Sequence, residues 1–211
     1  LDRARLEADA ARDLELLRQV LATLRSFPAT ADPKLRRLIA LLDDELRGRK
    51  VVVFTEFRDT ARHLWRALHR RGQVGLVDGA GARPGAGPAG RREVVERFAP
   101  RANLARPPRP HERVDLLIAT DVLAEGLNLQ DAECVISYDL PWNPVRLIQR
   151  VGRIDRLGSE YDVVRSHHFL PDDGLERLLG VVGALRRKLA AIGVAVGLEA
   201  PVLDTREDGG E

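Results

Sequence analysis

Apolar and polar positions along this chain follow two periods, and each change of period marks an element. Leu6, Ala10, Leu14, Leu17, Leu21 and Leu24 recur at three or four residues with charges between them. That spacing predicts an amphipathic helix over residues 1–24. The stretch SFPATADPK, residues 26–34, breaks it with two prolines, and Leu35, Leu38, Ile39, Leu42 and Leu46 then predict a second helix over 35–46. KVVVFTEF, residues 50–57, reads as a buried strand that ends in polar residues. A helix over 60–71 closed by Gly72 follows, then a short strand in QVGLVDG, residues 73–79.

GAGARPGAGPAGRR, residues 79–92, is rich in Gly, Ala and Pro and predicts an exposed loop. Beyond it the pattern predicts a helix over 92–98, a basic proline-rich loop over 101–114, and strands over 114–119 and 133–137. A turn over 139–144, a helix over 145–156, a strand over 163–169 and a helix over 174–192 complete the order. The last residues, EAPVLDTREDGGE, are acidic and predict disorder. No internal repeat is visible.

Strands that alternate with helices predict an α/β fold, a parallel sheet covered by helices on both faces. In such sheets ligands bind beyond the carboxyl ends of the strands. Thr55-Glu56, Thr120-Asp121 and Asp139 all stand at such ends, so a site is expected there.

Composition narrows the class. Hydrophobic residues make up 44% of the 211 residues and aromatics only 4%, so the core must be Leu, Val, Ile and Ala. No apolar run approaches the roughly 18 residues of a membrane span, and residues 1–20 read as a charged helix, not a signal peptide. The single cysteine, Cys134, excludes an internal disulfide, fits a cytoplasmic location and reads as core. Adjacent His167 and His168 point to opposite strand faces and have no third ligand at a suitable spacing, so no metal site is expected. Net charge is 34 − 32 = +2, and since only Lys34, Lys50 and Lys188 are lysines, 31 of the 34 cations are arginine. The absence of methionine and the Leu at position 1 predict a piece of a longer protein.

QRVGRIDR, residues 149–156, concentrates the candidate chemistry. On a helix Arg150, Arg153 and Arg156 would form one row bordered by Gln149, with only Asp155 as a nearby acid. A row of forked cations matches a polyphosphate, where it can neutralise charge on a transferring phosphoryl group. A solvated basic face would carry the same letters. No phosphate-loop sequence accompanies it, since no Gly-Lys dipeptide occurs in the chain. DDEL, residues 43–46, has the letters of an acidic magnesium motif but falls on a helix with no strand before it, and reads as helix surface. Trp142, in PWNP, is expected to pack its turn against the following helix, and Trp65, within a helix, is expected to be core or edge packing.

Taken together and in order, VVVFTEF, LLIATDVLAEGLNLQ, VISYDLPWNP and LIQRVGRIDRLG resemble the second motor domain of superfamily 2 helicases. The likeness is to the Swi/Snf group, closest to the bacterial RapA-like ATPases, and covers about residues 32–169. It implies a RecA-like fold. It also implies three parts: a helical connector at 1–31 leading to an upstream lobe, the helicase C-terminal domain at 32–195, and the acidic tail at 196–211. By the same resemblance Thr55, Arg58, Thr120 and Asp121 border a nucleic-acid strand, and Glu125, Gly126 and Asn128 link that groove to the nucleotide. Gln149, Arg153 and Arg156 would face the nucleotide, with Arg153 and Arg156 at the γ-phosphate and Arg156 as arginine finger. ATP and Mg2+ would be held mainly by an N-terminal RecA-like lobe of the same polypeptide, and the chain alone would not hydrolyse ATP. The implied partner is DNA, duplex rather than single strand, contacted through its backbone without sequence readout. A stand-alone RecA-like lobe that binds nucleic acid or protein without ATP is the alternative function.

Overall fold

A computed structural model describes residues 3–26, 32–83, 89–121, 128–156 and 159–196, with side chains to 190 except that of residue 24. The chain divides into two compact units, Leu1–Arg47 and Gly48–Glu211.

In the first unit, α1 (Arg3–Ser26) carries exposed ion pairs one turn apart, Arg3 with Glu7 at 2.9 Å and Arg12 with Asp9 at 3.7 Å. Such pairs contribute only about 0.3–0.5 kcal/mol each. Leu6, Leu14, Leu17, Val20 and Leu21 all remain exposed. Helix α2 (Pro33–Asp43) starts where its sequence requires: the Asp32 carboxylate accepts from the Leu35 N–H at 3.0 Å, and Pro33 occupies the first turn, where no N–H is needed. It ends earlier than expected, and Asp44–Leu46 form turns. Asp43, Asp44 and Glu45 are exposed, as the helix-surface reading of DDEL requires.

The second unit is a six-stranded sheet in the order β3-β2-β4-β1-β5-β6. Its strands are β1 (Val51–Thr55), β2 (Val74–Asp78), β3 (Gly81–Arg83), β4 (Leu116–Thr120), β5 (Cys134–Ser137) and β6 (Arg165–His168). All pairings are parallel except β2 with β3. All five residues of β1 are buried, as expected of a central parallel strand covered on both faces. Val52, Phe54, Leu117, Ala119 and Val135 join Val94, Val95 and Phe98 of α4 (Arg91–Phe98) in one core cluster. Helix α3 (Arg58–Leu68) packs on β1, β2 and β4, and its Ala61, Leu64 and Leu68 share the spacing of one buried face. Gly75 of β2 is a packing requirement, because a Cβ there would stand 2.9 Å from Val94 Cγ1 and 3.1 Å from Val114 Cγ1. Cys134 is fully buried, in keeping with its reading as core.

Three further expected elements differ. The loop expected from residue 79 contains β3, an antiparallel edge strand. The Asp78 carboxylate makes this hairpin by accepting from Ala80 N at 2.8 Å and Gly81 N at 3.0 Å, a turn signal that short and glycine-rich letters conceal. The helix expected over 174–192 is two helices, α6 (Asp173–Leu179) and α7 (Val181–Val196), because Gly180 takes a left-handed conformation at φ 60°. The helix expected over 145–156 stops at Val151: α5 spans Pro144–Val151, capped by the Asn143 side chain, and passes into turns at Gly152. Among the described residues no helix is long and apolar enough to cross a membrane, and no group of three metal-ligating side chains occurs.

Asp78 has a second partner, Arg62 Nε at 2.9 Å. Burial raises its pKa, but the bonds from Ala80, Arg62 and Gly81 outweigh burial and hold the carboxyl below its ordinary range. Its stabilisation is therefore complete above the ordinary carboxylate pKa and disappears as pH falls through the depressed value. Asp78→Asn is expected to lower the unfolding free energy by about 2 kcal/mol at neutral pH. In urea unfolding carried from neutral pH into acid, that deficit should shrink; a deficit that stays constant would contradict this account of Asp78.

Candidate functional site

The polar cluster forms where β1, β4 and β5 end together, and each partner arrives there by register. Thr55 is paired with Thr120, and Phe54 with Ser137, so the residues following each strand emerge side by side. Tyr138 N donates to Phe54 O at 2.9 Å and carries the β5 connection one residue further along β1. Asp139 is thereby delivered to the end of β1. Its carboxylate accepts from the Thr55 hydroxyl and from the Glu56 N–H at 3.0 and 3.1 Å.

Arg150 of α5 closes the cluster. Its side chain is 1% exposed and is the largest fully buried one among the described residues. It holds Asp121 with a two-pronged fork, Nε to Oδ1 and Nη2 to Oδ2, both at 2.7 Å. Nη1 donates to the Asp139 backbone oxygen at 3.0 Å, and Nη2 reaches Asp139 Oδ1 at 3.4 Å. The guanidinium also lies 5.8 Å from the centre of the Phe54 ring. Arg146, one turn earlier, binds Glu56 Oε1 at 2.8 Å and approaches Asp121 Oδ2 at 3.7 Å. Three carboxylates and two guanidiniums therefore share one network, with one negative charge in excess. A charge this deeply buried is tolerated only when it is paired and its N–H groups are largely bonded, and four of the five N–H groups of Arg150 have acceptors.

The reading of QRVGRIDR as one helical row is corrected here. Arg150 needs no external anion, because Asp121 and Asp139 supply it, and α5 ends before Arg153. Residues 152–156 instead form consecutive turns held by Gly152 N to Ile148 O at 2.8 Å, Ile154 N to Val151 O at 3.0 Å and Asp155 N to Val151 O at 2.9 Å. Ile154 is buried in the core, Arg153 is half-buried, and Gln149 and Arg156 are exposed. Arg156 is steadied only by Nε donating to Gly152 O at 2.8 Å among the described residues. The chain thus presents Arg153 and Arg156 on a turn that is tied to the core by Arg150 on one side and Ile154 on the other.

Of the other expected site residues, Thr55 and Asp121 belong to this network. Thr120 is 2% exposed, and no described residue bonds its hydroxyl. Arg58 is exposed on the first turn of α3. Asn128 bonds elsewhere: its Nδ2 donates to Ala102 O at 3.3 Å, and its backbone oxygen accepts from Asn103 Nδ2 at 2.9 Å. Glu125 and Gly126 lie outside the described residues. Trp142 is 64% exposed, which corrects the expectation that it packs its own turn; Phe57 is 62% exposed beside Glu56. Sequence reasoning missed Glu56, Arg146 and Asp139 as a network and missed Arg150 as its centre. The signal for Arg150 was present: it stands three residues after Leu147 and four before Ile154, on the buried face of its helix.

The six-stranded, mostly parallel sheet, with the Arg150 network where β1, β4 and β5 end, has the RecA-like arrangement of helicase C-terminal domains. Residues 33–158 match the helicase conserved C-terminal domain family, and the chain belongs to that family. The chain is 38% identical over 126 residues to an uncharacterized ATP-dependent helicase, YqhH, of Bacillus subtilis (strain 168); the match covers 60% of this chain and 19% of that protein. The chain therefore spans about a fifth of the length of this relative. Among solved structures it is similar to the C-terminal domain of the DEAD-box protein Dbp5, with 22% identity and TM-score 0.52 over 75% of this chain and 79% of that one. It is also similar to the C-terminal part of the Fun30 ATPase domain, with 20% identity and TM-score 0.51 over 72% and 44%. A DEAD box protein from Methanococcus jannaschii gives 23% identity and TM-score 0.51 over 72% and 36%. These likenesses show the RecA-like fold of helicase C-terminal domains.

Removing Arg150 would leave Asp139 without its cationic partner and Asp121 with only the more distant Arg146, at 3.7 Å. Arg150→Ala is expected to cost about 3–5 kcal/mol of unfolding free energy. Arg150→Lys, which keeps the charge and loses the fork, should recover only part of it. Chemical denaturation of the three proteins measures both, and a loss below about 1 kcal/mol for the alanine variant would show that the network is a surface feature.

Proposed function

We propose that this chain is the C-terminal motor lobe of an ATP-dependent DNA translocase of Swi/Snf type. What supports the reading is that residues 152–156, which carry Arg153 and Arg156, directly follow Arg150, whose side chain is anchored at the strand ends. The two arginines supply donors that fit phosphate oxygens, whose charge rises during phosphoryl transfer. ATP with Mg2+ would supply the γ-phosphoryl group that water attacks. Arg153 and Arg156 would hold its oxygens from this side, with Arg156 as arginine finger, and Gln149 would border them on α5. The described acids fit Mg2+ poorly, since Asp121 and Asp139 are engaged by Arg150 and no three metal ligands cluster. The proposed arrangement has the magnesium and most of the nucleotide held by an N-terminal lobe of the same polypeptide.

Nucleic acid would lie along the neighbouring strand ends. Arg58 is exposed there at the start of α3 and offers a guanidinium to solvent, whereas the Thr120 hydroxyl is buried. Donors of this kind hold backbone phosphates and read no sequence. Phe57, next to Glu56 in the chain, and Trp142, four residues before Arg146, are both exposed and add apolar surface. Duplex DNA is the proposed track. Glu125, Gly126 and Asn128 would link it to the nucleotide side, with Asn128 acting through the 99–103 loop it bonds. Residues 1–31 would connect the two lobes, and residues 196–211 would form the acidic tail. The protein would work in the cytoplasm.

In the longer native protein, Arg156→Ala should lower DNA-stimulated ATP turnover by about 10³-fold while changing ATP affinity far less. The 211-residue chain alone should show no turnover above background. Turnover by the isolated chain, or equal turnover in both full-length proteins, would transfer support to a binding module that works without ATP.

A further inference from the structure

Away from the strand-end network, the β2–β3 hairpin borders a cavity of about 310 Å³. Its lining includes Arg62, Asp78 and Arg83, with Leu76 and the hairpin residues Ala80–Ala82 completing it. The only acid in that lining is already engaged. Asp78 Oδ2 accepts from Arg62 Nε, and Oδ1 accepts from two hairpin N–H groups. Arg62 uses Nε alone for this, and no described residue accepts from its two Nη groups. Arg83 is exposed, lies 5.4 Å from the centre of the Trp65 ring, and has no described hydrogen-bond acceptor. Arg91 adds a third guanidinium beside the hairpin by donating to Gly79 O. The hairpin thus collects three guanidiniums around one carboxylate, an excess of two positive charges. Trp65, stacked on His69 with centroids 4.5 Å apart, also has an enclosed indole N–H with no acceptor among the described residues.

A solvated basic face would spread such cations over the surface. Here two of them line one concave space and retain unfilled forks, the arrangement that suits a tetrahedral oxyanion bearing more than one charge. We infer that the β2–β3 cavity is a phosphate-binding site, with Arg62 and Arg83 as its ligands. The site requires neither ATP turnover nor residues 149–156, so it stands independently of the motor role. The phosphate group would come either from free phosphate and phosphate monoesters or from a nucleic-acid backbone.

Trp65 makes the test direct, since the chain has only two tryptophans. In the 211-residue chain carrying Trp142→Phe, inorganic phosphate is titrated at constant ionic strength while Trp65 emission is read, with calorimetry as a second readout. A saturable response is expected, and Arg83→Gln and Arg62→Gln should each weaken it about tenfold or more. Displacement of phosphate by a short DNA duplex would assign the site to backbone phosphate. Saturable phosphate binding that duplex does not displace would assign it to free phosphate or a monoester. No saturable response by either readout, or unchanged affinity in both arginine variants, would overturn the site.

Discussion

One buried charge organises the functional end of this lobe. The Arg150 guanidinium has almost no access to water, so the structure must surround its N–H groups with acceptors. Asp121 supplies two, and Asp139 supplies a backbone oxygen and a carboxylate oxygen. These acceptors lie just beyond two different strands, and Asp139 in turn grips Thr55 and Glu56 beyond a third. The ends of β1, β4 and β5 and the docking of α5 are therefore fixed by one set of charge-assisted bonds. A shift of α5 by one residue would remove the fork and leave the carboxylates uncompensated, a penalty of several kcal/mol.

That constraint has a functional consequence through sequence proximity. Arg150 lies on the last turn of α5, and its own backbone oxygen accepts from Arg153 N at 3.3 Å. Whatever fixes Arg150 also fixes the start of the turn that carries Arg153 and Arg156. Ile154, buried in the core, fixes its other side. Arg150 sets a position, and under the proposed function Arg156 would be the donor that this position holds ready. Preorganisation of this kind matters because a catalytic donor contributes most when it is held in place before charge develops. The same logic explains why Asp121, although placed at a strand end, spends its carboxylate inward, on Arg150.

The α/β class, the central strands and the place of the site were legible from patterning alone. An unbroken apolar run such as VVVF can only be a strand covered on both faces, and polar residues directly after such strands mark the ligand-bearing edge. The errors came from residues whose partners are distant in sequence. Asp121 and Arg150 are 29 residues apart, so nothing local reveals that the arginine is paired, and spacing alone placed it in an exposed row. The hairpin at Gly81–Arg83 depends on the Asp78 side chain replacing a hydrophobic signal. Gly180 split a helix that its apolar periodicity would have continued, through a backbone conformation that composition does not announce. Trp142 was misplaced because an aromatic residue within a proline turn suggests packing, whereas this one stands out from the surface.

The most direct test is a double-mutant cycle on the turnover number in the longer native protein, joining Asp121→Asn with Arg156→Ala. If Asp121 acts by positioning the turn through Arg150, its loss matters only while Arg156 is present. The double variant should then turn over no more slowly than Arg156→Ala alone. Fully multiplicative losses would contradict the account, because they would show that Asp121 contributes by a route that does not pass through the arginine turn.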